Sequence, residues 1–207
     1  MVSSAEQKEP DQQKTSGVRN LPPEKPAAAQ RSIPGKTLST RQTVFLALMV
    51  AMAMALHGVE ALMAYVTPMP GIRLGLANIV TLICLAFFSR KQVLLVVVMR
   101  LALTGLVLGT FLTPVFWISV GGGLCSYIAM ALLTGRENLS VIGISLAGAA
   151  SHNLGQLTAV ALLLSGTGAF YYLPWLLLWS VPMGLLTGFS AKALIKALRN
   201  IGFDGTI

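Results

Sequence analysis

A chain of 207 residues with 55% hydrophobic and only 11% charged side chains cannot clothe a water-facing surface, because soluble domains carry about 25% charged residues. A net charge of +8 would suit nucleic acid, but seven of the fifteen Lys/Arg and four of the seven Asp/Glu crowd into the first 41 residues. The basic excess therefore reads as a cytoplasmic tail and cytoplasmic loops, and a mean hydropathy of +0.74 leaves an all-α integral membrane protein as the class.

Residues 1–41, with "LPPEKPAAAQRSIPGK", are too rich in Pro, Gln, Ser and Lys to bury an apolar core and are predicted to be a disordered basic cytoplasmic tail. They do not read as a signal peptide, since no apolar stretch starts before Val44. Six apolar segments follow, at about 43–66, 73–89, 92–112, 114–134, 141–165 and 171–197, and predict a six-helix transmembrane domain over 42–199. Residues 200–207 are left as a short C-terminal tail. With the N-terminus inside, thirteen of the fifteen basic residues fall on the cytoplasmic side, which places both termini there. Tyr65, Phe116, Trp117, Tyr171, Tyr172 and Trp175 gather at the outer ends, as an interfacial aromatic belt or as packing between helices.

In the first segment His57 and Glu60 are three residues apart and share a helical face. Ala47, Ala51 and Ala55 repeat at every fourth position and form a smooth stripe on roughly the opposite side. Such a stripe suits close packing, against a helix of the same chain or of another. The loop "TPMPGIRLG" at 67–75 is a lid or a simple turn, and its Arg73 is a ligand contact or a solvated interface residue. Asn78 and Thr81 open the second segment; Arg100 and Thr104 sit within the third. For Arg100 the alternatives to ligand binding are an ion pair with Glu60 or snorkelling toward the inner face.

The fifth segment, "ISLAGAASHNLGQLTAV", sets His152, Asn153 and Gln156 within one turn of an otherwise oily helix. Ser145, Gly148 and Ala149 lie on nearly the same side, a turn or two inward, where neighbouring helices are expected to approach. Polar groups are costly in hydrocarbon, about 2.5–3.5 kcal/mol for a charge at mid-membrane, so they are predicted to face the bundle interior. Interhelical hydrogen bonding is the plain alternative, at about 0.6 kcal/mol per contact. Depth along the predicted helices puts His57, Glu60, Arg73, Asn78, Asn153 and Gln156 in the outer half and His152 near the middle. Together with Arg100 these eight are the candidate binding residues for a small polar or amphipathic molecule, with Arg73 and Arg100 able to complement an anionic group.

Cys84 and Cys125 stand singly and read as small buried hydrophobes; no spacing suggests a metal site, and no residue is assigned a catalytic role. The blocks "PGIRLGLANIVTL", "GTFLTPVF", "GGGLCSYIAMALL" and "GISLAGAASHNLGQL" resemble the Gx transporter family, also labelled heptaprenyl diphosphate synthase component I. The resemblance covers about 43–197 and none of the tail. That family is similar to the six-helix substrate-binding S components of energy-coupling-factor transporters in the bacterial plasma membrane. The similarity implies capture of a solute from outside, with a membrane coupling protein and two ATPases as partners. It also implies that Ala47, Ala51 and Ala55 dock on that coupling protein. The chain has no G-x-x-x-x-G-K-[ST] phosphate loop, so it binds no cofactor of its own in this reading and ATP is hydrolysed by partner subunits. The enzyme label meets a chemical objection: prenyl diphosphate synthesis holds Mg²⁺ on aspartate-rich motifs, and this chain has two aspartates, Asp11 and Asp204. A non-catalytic subunit beside a synthase is the alternative expectation.

Overall fold

A computed structural model describes residues 40–66, 75–136, 138–164 and 166–203. Every regular element among them is helical: α1 (Thr40–Val66), α2 (Leu76–Phe87), α3 (Arg90–Val107), α4 (Pro114–Leu133), α5 (Val141–Leu163) and α6 (Leu173–Asn200), the last preceded by a 3₁₀ turn at Thr167–Tyr172. The tail over 1–39, the loop 67–74 with Arg73, the last residues 204–207 and the side chain of Tyr65 lie outside the described residues. Thr40 and Arg41, assigned to the tail by composition, begin α1.

The shortest helix lies at the centre. Nine of the 12 residues of α2 are buried, and α2 touches all five other α-helices. Its buried aliphatic residues and its two polar ones, Asn78 and Thr81, are alike covered by those neighbours. The others follow one another around it as α1, α3, α4, α5 and α6, each in contact with the next. Ala53, Val80, Ile83, Cys84, Val93, Val97 and Met130 fill the core.

Helix lengths differ from the apolar segments for local reasons. Among the described residues three stretches are long and apolar enough to cross a membrane: Thr40–Glu60, Pro114–Leu133 and Phe170–Asn200. The 12 residues of α2 span about 18 Å, short of a bilayer core of about 30 Å. α3 ends at Val107 rather than continuing to 112, because Gly109 (φ 66°) and Leu112 (φ 62°) turn left-handed and reverse the chain. It starts sharply at Ser89, whose N–H donates to Gln92 Oε1 at 2.9 Å. α6 runs three residues further than expected and stops in a Schellman turn, with Gly202 at φ 74° and the Phe203 N–H donating to the Leu198 carbonyl at 3.0 Å. Phe203 then stacks on Phe45 with centroids 4.4 Å apart, joining the α6 terminus to α1.

Candidate functional site

The polar residues expected to meet in one place fall into three groups. The first gathers at the start of α2. Gly75, left-handed at φ 68°, has no side chain to cap the helix it precedes. Glu60, reaching over from α1, takes that role: its Oε1 accepts the N–H of Gly75 and, at 3.2 Å, the N–H of Leu76. A carboxylate is well matched to the positive end of a helix, whose first N–H groups lack partners within the helix. His57 Nδ1 stands 4.0 Å from Glu60 Oε2, and Asn78 is buried one turn into α2, its Nδ2 beside Gly75. Glu60 and Asn78 thus both lie beside Gly75, and Glu60 is committed to holding α2.

The second group lies between α4 and α5. Two successive glycines of α4, Gly121 and Gly122, make the approach possible. A Cβ on Gly121 would come within 2.7 Å of the Gly155 carbonyl oxygen; one on Gly122 would lie 3.0 Å from the His152 ring and 2.6 Å from Gln156 Cγ. His152 and Gln156 therefore rest against bare backbone. Asn153 turns the other way, donating to the Leu176 carbonyl of α6 at 2.9 Å, so it tethers α5 to α6 and points away from these two. The expected close approach below them is present: Gly148 leaves room for Met130, and Ser145 hydrogen-bonds Thr187 at 2.8 Å.

Arg100 stands between the two groups. It is 3% exposed, on α3, and its Nη2 lies beside Gly123, the third glycine, where a Cβ would be 3.4 Å away. Its Nε and Nη1 are buried with no hydrogen-bond partner, as are Thr104 Oγ1 and Ser126 Oγ. Sequence reading missed Gly121, Gly122, Gly123 and Ser126. The signal was in "GGGLCS": three glycines in a helix are costly unless neighbours need the space.

On the outside of the bundle Ala47, Ala51 and Ala55 are exposed, so the stripe does not pack within the described part of its own chain. Trp117, Tyr171, Tyr172 and Trp175 are exposed, whereas Phe116 packs between Phe111 and Trp117. Cys84 is buried as expected, but Cys125 is exposed: it lies on the rim of the α4–α5 contact, next to Gly155, and not within it. No group of His, Cys, Asp and Glu among the described residues is arranged to hold a metal ion.

The sequence profile of heptaprenyl diphosphate synthase component I matches residues 49–194. No curated protein and no solved structure matches the chain.

Proposed function

The chain belongs to the heptaprenyl diphosphate synthase component I family, and from that premise we propose that it is a non-catalytic membrane subunit working beside a soluble catalytic partner in heptaprenyl diphosphate synthesis. The observation that carries this reading is the family match across 49–194, which takes in nearly the whole helical body. The chemistry agrees. With Asp11 and Asp204 as its two aspartates, the chain cannot supply an aspartate-rich diphosphate-Mg²⁺ site alone, so catalysis falls to another component. All six helices cross the plasma membrane of a bacterium, both termini are cytoplasmic, and the short α2 spans by being enclosed within the bundle. The interior polar residues His57, Glu60, Asn78, His152, Asn153 and Gln156, with Arg73 and Arg100, then serve a small amphipathic molecule.

Affinity capture of the full chain from native membranes tests the association. A soluble prenyl diphosphate synthase is expected in the eluate, and deletion of the chain is expected to lower the membrane-associated fraction of that synthase. An eluate without a synthase, and a synthase distribution unchanged by deletion, overturn the reading.

A second reading is favoured by one feature, the outward-facing stripe of Ala47, Ala51 and Ala55. Small residues let another helix approach closely. In this reading the chain is an S-component-like carrier, the stripe docks on a membrane coupling protein, and two ATPases complete the assembly. Capture of a coupling protein with ATPases, abolished by Ala51→Leu in a chain that still folds, is the result expected of it; docking unaltered by Ala51→Leu excludes it.

A further inference from the structure

The turns at the two ends of the bundle differ in kind. At one end lie Ser89, Arg90 and Lys91 between α2 and α3, and Gly135 and Arg136 after α4; Arg90 Nη2 donates to the Thr134 carbonyl at 3.3 Å, which brings the two turns together. At the opposite end residues 108–113 join α3 to α4, and no charged residue occurs in the sequence between Arg100 and Arg136. The side chains displayed there are Val107 (74% exposed), Leu108, Phe111 and Leu112 (62% exposed).

Much of the hydrogen bonding of this turn is internal. The N–H groups of Leu108 and Thr110 donate to the carbonyls of Thr104 and Gly105 at 2.9 and 2.8 Å, and that of Gly109 donates to Leu106 at 3.2 Å. The Thr110 carbonyl accepts both the N–H and the hydroxyl of Thr113, at 3.0 and 2.5 Å. The first of these bonds closes a four-residue turn with Leu112 in its third position at φ 62°, where glycine is the usual occupant. Leu112 is the one non-glycine residue with positive φ among the described residues. Water offers no reason to display a leucine in a conformation that its Cβ disfavours. Lipid offers one: backbone groups find no solvent partner there and must bond internally, and apolar side chains are at home. Depth agrees. The 18 residues of α3 and the 20 of α4 rise about 27 and 30 Å from the cationic end, no more than a bilayer core of about 30 Å.

We propose that the α3–α4 turn does not emerge into water. It is immersed at the hydrocarbon edge of the leaflet opposite Arg90, Lys91 and Arg136, where Val107, Leu108, Phe111 and Leu112 anchor the bundle among lipid acyl chains. The anchor rests on the membrane-spanning reading proposed above and is independent of any synthase.

The full chain carrying Cys125→Ser, with Cys84 left buried, is given one cysteine at a time by Val107→Cys, Leu112→Cys, Val98→Cys or Lys196→Cys, then spin-labelled and placed in phosphatidylcholine nanodiscs. Power saturation reads collisions of the nitroxide with oxygen, which concentrates in lipid, and with a nickel chelate, which stays in water. Val98→Cys, on an exposed position between the ends of α3, sets the lipid value, and Lys196→Cys, exposed at the cationic end, sets the water value. Labels at Val107→Cys and Leu112→Cys are expected to collide with oxygen as at Val98→Cys and to lose most of the nickel collisions seen at Lys196→Cys. Nickel collisions at the Lys196→Cys level would put the turn in water and overturn the proposal. Loss of both kinds of collision would show protein over the turn, a second copy or another segment, and would overturn it as well. Nickel collisions at Val98→Cys matching those at Lys196→Cys would sink the spanning reading and the anchor with it, whereas a failure confined to the turn leaves the spanning reading standing. Should Leu112→Cys fail to fold, Val107→Cys, on regular helix, decides alone.

Discussion

The two sides of the bundle are held together by different means. Across α4, α5 and α6 the backbones nearly touch. Gly121 faces Gly155, Gly184 would set a Cβ 3.0 Å from Leu146, and Gly188 would set one 3.0 Å from Ile142 Cα. Short polar bonds lock the same interfaces, Ser145 to Thr187 at 2.8 Å and Asn153 to the Leu176 carbonyl at 2.9 Å. Across α1, α2 and α3 the contact is made by larger aliphatic side chains such as Val80, Ile83, Val93 and Val97, and the one glycine within α1, Gly58, has open space around its Cβ position. That looser side holds the buried charges of Glu60 and Arg100. In hydrocarbon, apolar contact between helices gains little over contact with lipid. Shape must therefore decide one side, while a specific polar contact, Glu60 on the end of α2, fixes the other.

Added volume is the sharpest way to break this contrast. Gly155→Leu would drive a side chain into the Gly121 carbonyl and Cys125. Because the obstacle is backbone, no rotamer relieves it, and the loss is expected at or above the upper end of the usual overpacking range, about 3 kcal/mol. The readout is the yield of monodisperse protein and its thermal unfolding in detergent. A variant as stable as the parent would mean that α4 and α5 are not in close approach.

The helices themselves were legible because apolar runs of membrane length announce themselves: every end but one lies within three residues of the segments read from the chain, the exception being α3, which stops five residues short. The third segment was overrun at its end, because the left-handed turns at Gly109 and Leu112 stop α3 inside an apolar run that carries no mark of them. The inward placement of the polar residues was legible, but their partners were not. That His152 and Gln156 lie inward follows from the cost of polarity in lipid; that Asn153, their neighbour in sequence, faces α6 follows from the 100° step between adjacent helical residues. Glu60 as a cap for α2 could not be read, because its partners are backbone N–H groups 15 and 16 residues away.

Removing that cap is the second test, aimed at the looser side. Glu60→Ala leaves the Gly75 and Leu76 N–H groups without their acceptor and is expected to cost about 1–2 kcal/mol. Glu60→Gln keeps an acceptor oxygen and should recover part of the loss, the remainder being the interaction of charge with the helix end, about 0.3–1 kcal/mol. Equal unfolding temperatures for the two variants would show that charge rather than hydrogen bonding holds α2, and no change in either would remove Glu60 from the structural account.

The smallest effect has the opposite sign. Gly58 lies inside α1 with nothing within 4 Å of a Cβ built on it, so Gly58→Ala meets no obstacle and gains helix propensity. A stabilisation of about 0.5–1 kcal/mol is expected for the isolated chain, seen as an unfolding temperature higher by a few degrees. The same substitution at Gly121 or Gly155 should destabilise, since each would place the new methyl against a carbonyl oxygen across the interface. Opposite signs for one chemical change would locate the boundary between the side governed by shape and the side that tolerates volume. A loss at Gly58 in the isolated chain would place α1 against a neighbour there and erase that boundary.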